Sequence, residues 1–347
     1  MRFTNSGTEA NTMALAAAVA YTGRKKVIAF KNGYHGGTLS FPSSLSKTNT
    51  NLPHDFSLAP YNDISGTQAV ISSLPKDSLA AIIVEPVQGS GGSIPGNEDF
   101  LQFLNTSAHE LGAIFIVDEV MTSRLSYHGL SSELGLKPDL VTLGKWVGGG
   151  MTFGAFGGRR DGGVMSMFDP RNGILAHSGT FNNNIVTMAA GCVGIDIYND
   201  EEIKRLNSLG DSLRTSLQAT LAKYNINQSP PLINIRCPQK NELESPFTGT
   251  QSALPSNSIS VESLTLENNN TKPGMWVSGR GSMMNIHFFG ESEKSLQSLF
   301  WHHMLENGIY LAQRGFVTLN MEIKQNHINK FVRAAEEFVV KNRQALS

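Results

Sequence analysis

Hydrophobic positions along the chain fall into two alternating patterns. Short apolar runs at 27–30, 80–84, 113–118 and 140–144 have the length and composition of buried strands. Residues 9–21, 98–111 and 184–199 between and after them read as helices. That alternation is the layered signature of an α/β fold. Residues 201–224 read as a long amphipathic helix leading into a smaller domain. Gln228 to Lys272 is rich in Ser, Asn, Pro and Thr with few apolar runs, and is expected to be a long disordered insertion. Order returns with a strand pair across 275–288, and helical patterns at 292–307 and 324–343 complete an α+β unit. The expected division is a large domain over 1–205 and a smaller one over 206–347.

Composition narrows the function classes. A length of 347 residues suits two domains, and 40% hydrophobic with 16% charged residues suits a soluble globular enzyme. A net charge of −1 gives no electrostatic case for nucleic acid or an acidic membrane surface. The sequence has no signal-peptide pattern and no apolar run of membrane-spanning length. The nine histidines show no ligand spacing, so no metal is expected. The two cysteines, Cys192 and Cys237, stand far apart, which argues against a disulfide framework and favours a reducing, cytoplasmic compartment.

The candidate chemistry begins at Lys145. The apolar run Leu140-Val141-Thr142-Leu143 leads through Gly144 to this lysine, and a glycine cluster follows. An amine at a strand end against a crowded turn is desolvated, which lowers its pKa and suits attack on an aldehyde. Asp118 ends the apolar run Ala113–Val117 and reads as an acid at the carboxyl end of a buried parallel strand, where ligands of open α/β sheets bind. An anion there can keep a ring nitrogen protonated and make the ring an electron sink. Ser6-Gly7-Thr8 open a helical run, an arrangement that makes an anion site from free N–H groups and the helix dipole. Ser6 with Glu9 also reads as an ordinary capping box. Tyr34, in the glycine-rich Gly33-Tyr34-His35-Gly36-Gly37, can lie flat on a cofactor ring or simply decorate a turn. Gly179 and Thr180 offer a further backbone and hydroxyl contact to phosphate, whereas the asparagines at 182–184 read as a turn and helix cap.

Six stretches in this order resemble the class III aminotransferases of the fold-type-I pyridoxal-phosphate enzymes, and most of all the glutamate-1-semialdehyde aminomutase branch. They are Asn5-Ser6-Gly7-Thr8-Glu9-Ala10, Tyr34-His35-Gly36, Glu85-Pro86-Val87-Gln88-Gly89, Asp118-Glu119-Val120-Met121-Thr122, Pro138 to Lys145, and Gly179-Thr180. The resemblance covers residues 2–225 well and the remainder loosely. It implies a mostly parallel central sheet with flanking helices, a smaller C-terminal α+β domain, and pyridoxal 5'-phosphate as cofactor. Lys145 would hold the cofactor covalently and move the proton. Asp118 would pair with the pyridinium nitrogen, Val120 and Tyr34 would cover its two ring faces, and Ser6, Gly7 and Thr8 would bind its phosphate. Gln88 or Ser90 would sit near the ring hydroxyl. Thr180 would reach the phosphate of a neighbouring subunit's cofactor, which implies a homodimer with shared active sites.

Two departures from that family bear on function. Met1 stands almost at the phosphate loop, without the substantial segment that precedes it in the family, so an N-terminally truncated, non-catalytic cofactor-binding chain is a third reading beside transaminase and aminomutase. After Gly308-Ile309-Tyr310-Leu311-Ala312, the mutase branch carries a longer acidic segment, where this chain has a short loop with Arg314. Arginine binds carboxylates bidentately. The expected activity is therefore amine transfer between an amino acid and a keto or aldehyde acceptor, and Gly179-Thr180-Phe181-Asn182-Asn183-Asn184 resembles the β-amino-acid aminotransferases of this branch, which implies a donor possibly of the β type. Arg314 would be the carboxylate contact, or else a surface ion-pair partner.

Overall fold

The computed structural model describes residues 1–42, 49–159, 163–171, 174–228 and 272–346. In chain order its strands are β1 (Arg2–Thr4), β2 (Lys26–Phe30), β3 (Asp55–Ala59), β4 (Leu79–Val84), β5 (Val87–Gln88), β6 (Ile94–Pro95), β7 (Ile114–Asp118), β8 (Leu140–Gly144), β9 (Gly154–Gly158), β10 (Gly274–Arg280), β11 (Met283–Phe289) and β12 (Phe316–Thr318). The helices are α1 (Gly7–Thr22), α2 (Ile64–Ser73), α3 (Glu98–Glu110), α4 (Leu130–Glu133), α5 (Ile185–Ile197), α6 (Asp200–Lys223), α7 (Glu293–Glu306) and α8 (Gln325–Lys341).

A seven-stranded sheet runs in the order β1-β9-β8-β7-β4-β2-β3. Its pairs from β8 through β3 are parallel, while β9 pairs antiparallel with both β8 and β1. Every residue of β4 and β7 is buried, as expected for strands covered on both faces. The two-residue period decides which layer each side chain meets. Ala81, Ile83, Ile114 and Ile116 pack with Ala10, Ala14 and Leu15 of α1. Ile82, Val84, Phe115 and Val117 pack with Phe100, Leu101 and Leu104 of α3. The small side chains of α1 let that helix lie close on the sheet, and its N-terminus points at the site.

The antiparallel sheet β10-β11-β12 forms a second layer with α6, α7 and α8. Its core includes Met275, Ile286, Phe300 and Phe338. The buried residues of α8, including Ile328, Phe331, Ala335, Phe338 and Val339, recur at helical spacing and form one face. α6 runs unbroken through the expected junction at 205/206, and its buried residues from Ile203 onward belong to the C-terminal core. The expected insertion at Gln228–Lys272 falls almost wholly on 229–271, outside the described residues, as does Cys237. The strands β1, β3, β5, β6, β9 and β12 and the helices α2 and α4 are additions to the sequence reading. Among the described residues, no helix is long and apolar enough to cross a membrane.

α6 also grips the turn between β10 and β11. Asp211 accepts from the Gly281 N–H at 3.0 Å, and Asn207 accepts from the Ser282 N–H at 3.1 Å. This leaves no room beside Gly210, where an added Cβ would lie 2.0 Å from the Gly281 carbonyl oxygen. Replacing a helical glycine by alanine in open space gains up to about 1 kcal/mol. Gly210→Ala is expected instead to lose about 1–3 kcal/mol from overpacking, read as a lowered midpoint in urea unfolding.

Candidate active site

Four parallel strands end around one cavity of about 160 Å³. The turn after β2 supplies Tyr34, His35 and Gly36, β4 leads into Glu85, β7 ends in Asp118 and leads to Val120 and Met121, and β8 leads into Lys145. Gly7, Thr8 and Asn11 of α1 close the other side. The carboxyl ends of the strands thus meet the N-terminus of a sixteen-residue helix.

Asp118 organises this end of the sheet. Its Oδ2 accepts from Asn11 Nδ2 at 2.8 Å and lies 2.8 Å from His35 Nδ1. Its Oδ1 accepts from the Val120 N–H at 2.9 Å. Thr142 Oγ1 donates to Asn11 Oδ1 at 2.7 Å, fixing the amide so that its NH₂ faces the carboxylate. Burial opposes a charge on His35, but the hydrogen bond and charge of Asp118, helped by Glu85, outweigh it and raise the His35 pKa. The Asp118 carboxylate is therefore held by a side-chain amide, a backbone N–H and a histidine whose affinity for protons it raises. The adjacent Glu119 turns the other way and accepts from the N–H groups of Leu130 and Ser131 and the Ser131 hydroxyl.

Lys145 begins a single 3₁₀ turn, with φ of 51° in the left-handed region. That conformation costs a residue with a Cβ about 1–3 kcal/mol and recurs at functional sites. Its side chain reaches into an open cavity mouth, so part of its surface meets solvent. The surrounding protein still lowers its pKa by desolvation, against the opposing charges of Asp118 and Glu85.

The glycines around the helix N-terminus are fixed by contact. A Cβ on Gly7 would lie 2.8 Å from both methyls of Val120, and one on Gly36 would lie 2.3 Å from Thr8 Oγ1. The first N–H groups of α1, at Gly7 and Thr8, have no intrahelical acceptor, so they present an anion site to the cavity. The donor set fits pyridoxal phosphate: N–H groups for a phosphate, a buried carboxylate for a pyridinium, an amine for an aldehyde, and Tyr34 and Val120 in the walls.

Lys145, Asp118, Val120, Tyr34, Gly7 and Thr8 are brought together. Ser6 is at the edge and caps α1, accepting from the Glu9 N–H at 3.2 Å, while Glu9 accepts from the Asn5 N–H. Gln88 is buried outside the cavity lining and donates to the Lys31 carbonyl oxygen at 2.8 Å. Ser90 is exposed outside that lining. Thr180 is exposed too, on a turn tied to the phosphate loop by Asn5 donating to Asn182 at 3.0 Å. Arg314 does not line the cavity with Lys145. Its guanidinium lies over Phe316 at 5.5 Å, in a separate open groove of about 580 Å³ shared with Glu293 and Lys294. Among the described residues, no group of His, Cys, Asp and Glu is arranged to hold a metal.

Asn11, His35 and Glu85 join the cavity without being expected there from the sequence. Glu85 had the same signal as Asp118, an acid directly after a fully apolar run. Asn11 shows only as a polar residue within an alanine-rich helix.

Residues 1–242 match the family model described as Aminotransferase class-III. The chain is 41% identical to the β-phenylalanine transaminase of Variovorax paradoxus, over 98% of this chain and 69% of that protein. It is 30% identical to the glutamate-1-semialdehyde 2,1-aminomutase of Clostridium kluyveri, over 97% of this chain and 75% of that protein. The solved structure of a β-phenylalanine aminotransferase from Variovorax paradoxus superposes with a TM-score of 0.81 at 40% identity, covering 99% of this chain and 71% of that one. With this match across both layers of the fold, the chain belongs to the class III aminotransferase family, whose members depend on pyridoxal phosphate.

Proposed function

We propose that this transaminase takes β-amino acids as amino donors and passes the amine to a keto or aldehyde acceptor in two half-reactions. The observation that carries the site assignment is the convergence of Lys145, Asp118 and the α1 N-terminus on one cavity. The β-amino-acid class is supported by the 41% identity to a β-phenylalanine transaminase. When bound, pyridoxal phosphate supplies an aldehyde that takes up amino groups and a ring that accepts electrons from the neighbouring carbon. The chain supplies the rest. Gly7 and Thr8 orient the phosphate at the positive end of the helix. Asp118 holds a proton on the ring nitrogen, and its bonds to Asn11 and His35 keep its carboxylate in place. Val120 and Tyr34 confine the ring faces. Lys145, whose pKa desolvation lowers, would move the proton between the substrate carbon and the cofactor's C4′.

A homodimer and a cytoplasmic location complete the reading. α5 turns its inner face onto the Lys145–Gly148 turn, where a Cβ on Gly191 would lie 2.7 Å from the Val147 carbonyl oxygen. Its outer side exposes Ile185 (81%), Val186 (57%) and Val193 (57%), and Phe181 just before it is 68% exposed. Contiguous apolar side chains of this kind mark an interaction surface. A second copy covering it would also bring a partner surface to the exposed Thr180. The reducing cytoplasm suits a sequence with only two cysteines.

Arg314 is the proposed contact for the substrate carboxylate. Among the described residues it stands in no ion pair, and its exposed guanidinium is free to form a bidentate contact. Because it lies outside the cavity wall, the proposal requires the substrate to extend beyond the cavity or the Arg314 loop to fold towards it.

Reduction of the cofactor-loaded protein with borohydride should fix the label on Lys145, located by peptide mapping. Asp118→Asn should retain cofactor yet lose roughly 10²-fold or more in turnover, the scale for removing a preorganised charge at a reacting centre. Label on another lysine, or normal turnover in that variant, rejects the assignment. Ile185→Asp should shift light scattering from dimer to monomer and abolish activity; an active wild-type monomer contradicts the shared site. Arg314→Ala should raise the Michaelis constant for amino acids about 10- to 150-fold and leave a carboxylate-free amine almost unchanged. Equal loss toward both substrates means a structural role, and efficient conversion of glutamate 1-semialdehyde to its isomer favours aminomutase chemistry.

A further inference from the structure

Glu85 directly follows β4 and lines the cavity with Asp118 and Lys145. Its two oxygens are occupied by two different turns. Oε2 accepts from the Tyr34 N–H at 2.9 Å, and Oε1 accepts from the Gly89 N–H at 3.0 Å. Each turn controls a wall of the cavity. Tyr34 forms one wall itself. Gly89 backs Met121 on another, so closely that a Cβ on Gly89 would lie 2.1 Å from Met121 Sδ. Beyond Gly89 the turn is anchored to the second layer, since the Gly92 carbonyl oxygen accepts from Ser278 Oγ at 2.5 Å and lies 3.0 Å from His287 Nε2. The Tyr34 turn is held on its far side, with His35 Nδ1 2.8 Å from Asp118 Oδ2 and the His35 carbonyl oxygen accepting from Asn11 Nδ2 at 3.1 Å, and the carboxylate of Glu85 ties it across to the Gly89 turn.

We infer that Glu85 is a positioning residue whose carboxylate sets the spacing between the Tyr34 turn and the Gly89 turn, and so the width of the cavity where cofactor and substrate meet. This inference rests on the cofactor reading of the cavity, although the bracket itself exists without cofactor. A carboxylate can serve two N–H donors on two loops because both oxygens accept; protonation turns one oxygen into a donor and weakens one arm. Burial, reinforced by the charge of Asp118, raises the Glu85 pKa to about 7, while His35 and the two N–H groups oppose that rise. The other ionisable groups facing it are Lys145 after β8 and Tyr61 after β3, whose hydroxyl donates to the Glu85 carbonyl oxygen at 2.8 Å. The bracket is therefore fully closed above neutrality and loosens as Glu85 takes up a proton.

Stability moves in the opposite direction. The Glu85 pKa is raised above its unfolded value, so the folded chain holds the proton more tightly. Its contribution to stability is full below the ordinary carboxylate range and is lost as pH rises to about 7. Ionisation thus costs global stability while tightening a local contact.

The test is hydrogen–deuterium exchange on the full-length, cofactor-free chain, comparing wild type with Glu85→Gln and Glu85→Asp at pH values below and above the Glu85 pKa. In wild type, protection of the Tyr34 and Gly89 amides, corrected for intrinsic exchange, should increase as pH rises through that value. Glu85→Gln should exchange about 10-fold or more faster at one of the two amides at high pH, with no pH-dependent gain in protection. Glu85→Asp keeps the charge but is one methylene shorter, so it should protect one amide and release the other. Urea unfolding of Glu85→Gln should show a shallower loss of stability with rising pH than wild type. Wild-type exchange at both amides in Glu85→Gln, or a stability–pH curve parallel to that of wild type, overturns the inference. A pyridoxal phosphate titration then separates the two readings. Weaker cofactor binding by Glu85→Gln supports the role in the site, and equal affinity overturns it. A wild type that takes up no cofactor counts against the cofactor reading, while the exchange result still decides the bracket.

Discussion

The buried carboxylate of Asp118 is the constraint on which the site depends. A lone anion in this environment would be costly, and the fold offsets that cost with hydrogen-bond donors from several separate parts of the chain. Asn11 comes from α1, His35 from the turn after β2, and the Val120 N–H from the segment beyond β7, with Thr142 of β8 orienting Asn11. Each donor fixes the position of its own element. The α1 N-terminus, the Tyr34 turn and the end of β8 thus come to the cavity partly because their neighbours satisfy one charge. The parallel sheet makes this possible by ending four strands on one side.

The cavity is electrostatically asymmetric. Its wall combines the positive terminus of α1, two buried acids, a histidine whose affinity for protons is raised and an amine whose affinity for protons is lowered. A zwitterionic ligand with a phosphate, a protonated ring nitrogen and an aldehyde would find a complementary group for each. The left-handed backbone at Lys145 adds strain at the amine, in keeping with a lysine held for a task rather than for stability.

Much of this was legible in the sequence because charge stands out against apolar strands. Lys145 and Asp118 each end or follow such a run, and the strand-end rule places both on the ligand side of the sheet. Glu85 follows the same rule after Leu79–Val84, but the two turns it joins are set by the fold and leave no mark in the local pattern. His35 could not be separated from a turn residue, because its role comes from a carboxylate 83 positions away. Ser6, Gln88 and Ser90 lie near the right place in sequence, but a loop residue can point several ways and local pattern does not choose among them. Thr180 and Arg314 lie outside the cavity lining, and no periodicity encodes that placement. In the C-terminal layer, the helical stripe of α8 was clear, whereas three-residue strands such as β12 are too short to carry an alternation.

Asp118 and Glu119 are consecutive acids with opposite assignments: one faces the cavity and the other is clamped by the start of α4. Their separation is a matter of parity along the strand. A single-residue deletion or insertion within β7 would turn Asp118 off the cavity face and take Glu119 out of register with the start of α4. Composition and charge would hardly change, yet both tasks would fail together. The chain therefore carries an internal frame check at the point where scaffold and chemistry meet, and a length error in this strand cannot pass as a mild one.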